Sequence, residues 1–251
     1  MMPLFSLMVN WPPRPEASSA CAQRLVRLLT ELQPIDPVFD QWATGGRASR
    51  KLRRPFDVDE MAELAEGGRH YIRSESGLRE VNQALGFSFG FWNSRSDGHA
   101  AGMHASVGMN TRAIMLGNEV SFTLGSDEDP LPAVLAVRPL KTALLTMASI
   151  CNATWGAVTP YGMNEFGQPK PQPPRCQFYS GWMTYLSAPY AALVTPPETV
   201  IVERQPDGGL LMISTNDLFD ANNPRHFAAA CDIQASLAPL NARPWPLVLP
   251  E

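Results

Sequence analysis

The sequence predicts a single α+β domain over residues 1–251, with a mainly antiparallel sheet, helices packed around it and a Pro-rich tail from about residue 239. Period-2 stretches follow one another with hairpin turns between them, the pattern of antiparallel strands. Period-3.6 stretches supply amphipathic helices that group around such a sheet. No internal repeat, low-complexity run or shift in composition marks a linker.

Phe5, Leu7, Val9 and Trp11 alternate, predicting a strand over Leu4–Trp11 that Pro12, Pro13 and Pro15 end. Cys21, Leu25, Leu28 and Leu32 then keep helical spacing, predicting a helix from about Pro15 that Pro34 stops. Ile35–Trp42 is a Pro-broken connector, and Arg47–Arg54 is the one basic run. Asp57 with Glu60 has capping-box spacing for a helix carrying Met61, Leu64 and Ala65. Leu78, Val81 and Leu85 predict a short helix over Ser76–Leu85, closed by Gly86.

After Gly86 the period changes to 2, with Phe87, Phe89 and Phe91 alternating with Ser88, Gly90 and Trp92. Further strands are expected over Ala100–Met109 and Glu119–Leu124, and a long helix over Leu131–Cys151 in which Pro139 marks either a kink or the true first turn. Strand character returns at Ala153–Thr159 and Gln177–Leu186, around a Pro/Gly/Gln-rich loop at Tyr161–Arg175 of the kind that is often functional. Val200–Arg204 and Leu210–Ser214 flank Gln-Pro-Asp-Gly-Gly, the clearest hairpin signal. A last helix is expected from Asn223, with Pro224 in its first turn, to Leu237.

Composition excludes several classes. A hydrophobic fraction of 45% argues against disorder. A net charge of −4 argues against direct nucleic-acid binding. No apolar run approaches the length of a membrane span, and Met1–Trp11 carries no basic residue ahead of its apolar part, so neither membrane association nor a signal peptide is expected and the location is cytoplasmic. Cys21, Cys151, Cys176 and Cys231 form no CxxC pair and are expected as reduced thiols.

No cofactor or metal is expected. Gly86–Gly90 matches a bare GxSxG pattern around Ser88, but the serine falls inside an alternating strand instead of a strand-to-helix turn. His99 and His104, with Asp97 nearby, are the residues a small hydrolase or metal-dependent enzyme would use. Five residues apart on a strand, however, the two histidines point to opposite faces. The basic run has the charge to bind phosphate, but in an acidic chain it is expected as a solvated connector or one paired with Asp57, Asp59, Glu60 and Glu63. The acidic turn Asp127-Glu128-Asp129 lacks the spacing of a calcium loop but suits a basic partner. The tryptophans, Trp92 included, are expected in the core, with Trp182 alternatively an exposed interface anchor beside Gly181 and Tyr179.

Four segments together resemble a known family: Trp11 with Arg14-Pro-Glu16 and Cys21-Ala-Gln-Arg-Leu25; Ile35-Asp-Pro-Val-Phe39 with Trp42; Leu85-Gly-Phe-Ser-Phe89 running into Phe91-Trp-Asn93; and Tyr179-Ser-Gly-Trp-Met-Thr-Tyr-Leu186. In order and spacing, from about residue 8 to 240, they resemble the immunity protein 52 family of bacterial polymorphic toxin systems. They are similar in particular to immunity partners of type VI secreted DNase toxins of the restriction-endonuclease-like class. The resemblance implies a non-enzymatic protein that binds a cognate nuclease effector in the producing cell. Toxin contacts are expected in the irregular segments, at Asp97, Asp127, Glu128, Asp129 and Tyr161, and at Trp182.

Overall fold

The alternating apolar residues of Phe5–Trp11 form strand β1, and Phe5, Leu7, Val9 and Trp11 are fully buried on one side of it. The computed structural model describes residues 4–45, 49–73, 77–93, 95, 100–110, 117–125, 134–160 and 178–242. In these, β1 lies at the middle of an antiparallel sheet. The other members are β2 (Ala43–Thr44), β5 (Phe87–Trp92), β6 (Ala101–Val107), β7 (Asn118–Leu124), β8 (Trp155–Pro160), β9 (Met183–Leu186), β10 (Ile201–Arg204) and β11 (Leu210–Ile213). The nine strands run in the order β10-β11-β9-β8-β1-β7-β6-β5-β2. A separate two-stranded ribbon joins β3 (Tyr71–Arg73) to β4 (Arg79–Val81). The chain is thus a single α+β domain, as the sequence predicts.

Three helices cover one face: α1 (Ser18–Leu32), α2 (Val58–Gly67) and α3 (Val137–Cys151). Leu25, Leu28 and Leu29 of α1, Met61 of α2 and Leu140, Leu144 and Met147 of α3 share a core with Phe5, Leu7, Val9, Phe91 and Phe122 of the sheet. Each buried leucine contributes about 2 kcal/mol. The second core lies on the opposite face but spans only half of it. There α4 (Ala188–Ala191), α5 (Pro224–Ser236) and α6 (Ala238–Asn241) place Tyr190, Ile233 and Leu240 against Trp155, Leu186 and Met212.

The helix starts follow local chemistry. Asp57 caps α2 by accepting hydrogen bonds from the backbone N–H groups of Asp59 (2.7 Å) and Glu60 (3.0 Å), which anchors the predicted helix start. Asp57→Ala is expected to lower stability by about 1 kcal/mol, measurable by urea unfolding. Asn223 caps α5 through the N–H of Arg225, with Pro224 in the first turn. Pro239, expected to open an irregular tail, instead falls in the first turn of α6.

Three expected elements change. The long helix starts at Val137, not Leu131, which puts Pro139 in its first turn where no hydrogen bond is lost. The expected helix over Ser76–Leu85 is replaced by β4 and a 3₁₀ turn over Gln83–Leu85. Its stripe residue Leu78 is 66% exposed, so no buried face rewards a helix, and pairing with β3 prevails. The strand expected from Gln177 shortens to Met183–Leu186. Ahead of it, Phe178 and Ser180 give their N–H groups to Asn241 Oδ1 (3.0 Å) and Gln234 Oε1 (2.8 Å) rather than to a neighbouring strand.

The Trp11–Leu25 segment closes the end of β1 with charge. Glu16 accepts hydrogen bonds from Arg24 (2.7 Å from Nη1) and from Arg14 (3.2 Å). Both guanidinium groups stand over the Trp11 ring, 5.5 Å and 5.9 Å from its centroid. Burial alone would raise the Glu16 carboxyl, but Arg24 and then Arg14 outweigh it and hold the group below the usual carboxylate range.

Candidate interaction surface

Alternation along the strands sends every second side chain to the face opposite α1–α3. On β8, β9 and β11 those side chains meet the second core. That core ends at Met8 of β1, the last sheet residue packed against it. Beyond it, β1, β7, β6 and β5 carry three rows of side chains on this face: Trp92–Gly102–Thr123–Ser6, Gly90–His104–Ser121–Met8 and Ser88–Ser106–Glu119–Asn10. The rows are dominated by glycine, serine and threonine, so the surface is low and polar. At its β1 margin Ser6 is buried and Met8 packs against the second core, while the other positions are partly or fully exposed.

Two side chains stand above this floor. His104 is exposed, and its Nε2 lies 3.0 Å from Ser88 Oγ. Trp92 is 47% exposed, and its indole N–H donates to the Thr44 carbonyl (3.2 Å) across the pairing of β5 with β2. This contact fixes the ring before any partner arrives, so little further entropy is lost on binding. Expected in the core, Trp92 instead faces solvent. The signal was present in the sequence: strict alternation from Phe87 puts Trp92 opposite Phe91, whose face is the buried one.

Of the sequence-predicted site residues, Asp97, His99, Asp127, Glu128, Asp129 and Tyr161 lie outside the described residues. The strands leading to them nevertheless share one end of the sheet. Trp92 pairs with Gly102, Ala101 with Leu124, and Phe5 with both Leu124 and Pro160, so β5, β7 and β8 finish at the same end of the sheet, with β6 and β1 between them. Asn93, 1% exposed, fastens that end: its amide donates to the Val38 carbonyl (2.9 Å) and its Oδ1 accepts from the Ala101 N–H (3.0 Å). Trp182, considered as an exposed anchor, is fully buried. Its N–H donates to the Thr215 carbonyl (2.8 Å), and its ring lies 5.8 Å from that of Phe5. It therefore serves the core.

Among the described residues the Ser88–His104 pair brings a hydroxyl within 3.0 Å of an imidazole, the spacing of a nucleophile and its base; Thr215 and His226 stand further apart, at 3.5 Å. Ser88 nevertheless sits in mid-strand, as its sequence context predicts. Among the described residues no group of three or more His, Cys, Asp or Glu side chains could hold a metal ion. Cys21, Cys151 and Cys231 are free thiols, and Cys176 lies outside the described residues. Burial pushes Cys21 up to about 11 and Cys151 up to about 12, so both are protonated thiols at neutral pH and poor nucleophiles. In the basic run Arg50 pairs with Glu60 (2.9 Å) and Arg54 with Asp40, so these charges are locally neutralised. No helix among the described residues is long and apolar enough to cross a membrane.

Among the described residues, fold and surface together define an α+β protein with a polar, partly exposed platform on half of one sheet face and a fixed aromatic side chain at its edge. The chain belongs to the Immunity protein 52 family, which matches residues 6–241. Membership implies an immunity protein that binds a cognate effector. A T6SS protein of Pseudomonas aeruginosa has a similar fold, with a TM-score of 0.51 at 11% identity over 95% of this chain and 73% of that one. A search of curated proteins gave no match.

Proposed function

We propose that this chain neutralises a type VI secreted nuclease toxin in the cytoplasm of the producing cell, by protein–protein binding without catalysis. Family membership supports the immunity role. The observation that carries the mechanism is the platform bearing Trp92. A polar floor with one preorganised aromatic has the composition of an interface whose few anchors supply most of the binding energy. The nuclease chemistry of the target follows from the resemblance of the four quoted segments. An acidic chain, net −4, also suits a toxin that carries a basic nucleic-acid-binding surface.

The proposed contacts are Trp92, Asp97, Asp127, Glu128, Asp129 and Tyr161. Trp182 is not among them, since it is buried. The test is co-expression with the reading frame beside the gene, with tandem purification and a growth assay. A co-purifying pair and rescued growth are expected; absence of both would overturn the reading. In that pair Ser88→Ala and His104→Ala should still protect, whereas a hydrolase built on them would fail. Reversing charge at Asp127, Glu128 and Asp129 should slow association about 10-fold at low salt and flatten its salt dependence. Unchanged affinity and unchanged salt dependence would remove that turn from the interface.

A further inference from the structure

Among the described residues the β3–β4 ribbon has the least burial of any paired strands. Tyr71, Ile72, Arg73, Arg79 and Glu80 are all exposed. Of the six exposed large apolar side chains, three fall at or beside this ribbon: Tyr71 (43%), Ile72 (49%) and Leu78 (66%). A two-stranded ribbon with both faces in water is marginal by itself, so the ribbon's firm attachment matters. Asn82 N–H donates to the His70 carbonyl (2.8 Å), Ser88 N–H donates to the Gly68 carbonyl (2.9 Å), and Arg69 bridges to Phe87 on the outer edge of β5. The ribbon is therefore held out from the sheet edge, at the opposite end of β5 from Trp92.

Its electrostatics are unbalanced. Arg73 and Arg79 are direct cross-strand partners on one face, an arrangement that repels. The Arg79 guanidinium is parked over the Tyr71 ring, 3.8 Å from its centroid, and no ion pair joins either arginine to a described carboxylate. On a chain of net charge −4, two facing arginines beside exposed apolar side chains fit an acidic, apolar-lined surface on a protein. They fit nucleic acid less well, because Ile72 and Leu78 would gain nothing from a phosphate backbone.

We infer that the β3–β4 ribbon is a second docking element, which places Arg73 and Arg79 against carboxylates of the effector while Ile72 and Leu78 cover an apolar patch beside them. The inference rests on the neutralisation reading. It adds a contact about 17 Å along β5 from Trp92, within the span of one standard interface.

The test uses the full chain and the effector purified from the adjacent reading frame, with affinity measured by calorimetry across a salt series. R73E/R79E is expected to weaken binding at least 10-fold and to lower the salt slope, while R73K/R79K keeps the slope. I72S/L78S is expected to weaken binding without changing the slope. Near-UV circular dichroism identical to wild type shows that the core is intact, since these side chains are outside it. Wild-type binding with R73E/R79E within twofold of it overturns the ribbon and leaves neutralisation standing. No wild-type binding overturns neutralisation first and the ribbon with it. Wild-type binding to a single-stranded DNA 20-mer that R73E/R79E abolishes overturns the protein partner in favour of nucleic acid.

Discussion

Trp92→Ala is expected to weaken effector binding by about 3 kcal/mol, more than 100-fold, and to shift the stability of the free protein by less than about 1 kcal/mol. The two effects separate because of where the ring lies. It is 47% exposed and outside both cores, so truncation leaves no cavity. Its ordering is already secured by the hydrogen bond to the Thr44 carbonyl, so the free ring has little freedom left to lose. Trp92→Phe keeps apolar area but loses that tether, and should fall between wild type and alanine. Calorimetric titration and urea unfolding of the same variants check the pair of effects. A Trp92→Ala protein that binds like wild type would move the interface away from the platform.

Glu16→Gln is expected to destabilise the fold by about 3 kcal/mol. Its partner Arg24 has a side chain only 13% exposed, and Glu16 itself is 11% exposed, so removing the carboxylate leaves a nearly buried guanidinium without its counter-charge. The consequence reaches the stability profile in acid. The folded-state value of Glu16 is depressed relative to the unfolded chain. Its contribution is therefore complete above the ordinary carboxylate range and is lost as pH falls through the lower folded value. Wild type should lose stability over that interval, and Glu16→Gln should lose correspondingly less, so the gap between them narrows on acidification. Thermal melts from neutral pH downward would show it; a constant gap would refute the ion pair's role.

The sheet was legible because its strands are one-sided where they meet α1–α3. Period 2 at Phe5–Trp11 and at Phe87–Phe91 reports burial on a single face, and the Gln205–Gly209 turn marks the β10–β11 hairpin. Caps at Asp57 and Asn223 were legible for the same local reason. What failed was decided at long range. Leu78, Val81 and Leu85 satisfy a helical stripe, yet nothing lies opposite to bury it, and β3 claims the segment. Phe178–Trp182 has strand composition, but α5 and α6, 54 to 63 residues later, supply its hydrogen-bond partners. The platform was harder still. A tryptophan in an alternating strand looks like core, and only the half-width of the second core, among the described residues, explains why its ring is 47% exposed. Trp182, expected as an alternative anchor, is instead packed beside Phe5 in the core under α1–α3.

The two cores and the platform divide the chain's duties between separate sets of residues. Side chains at positions 92, 121 and 123 belong to neither core. Mutations there alter what the surface recognises while the folded state keeps its burial. A protein built this way can follow a changing adversary one substitution at a time. Its architecture stays constant while its partner choice drifts.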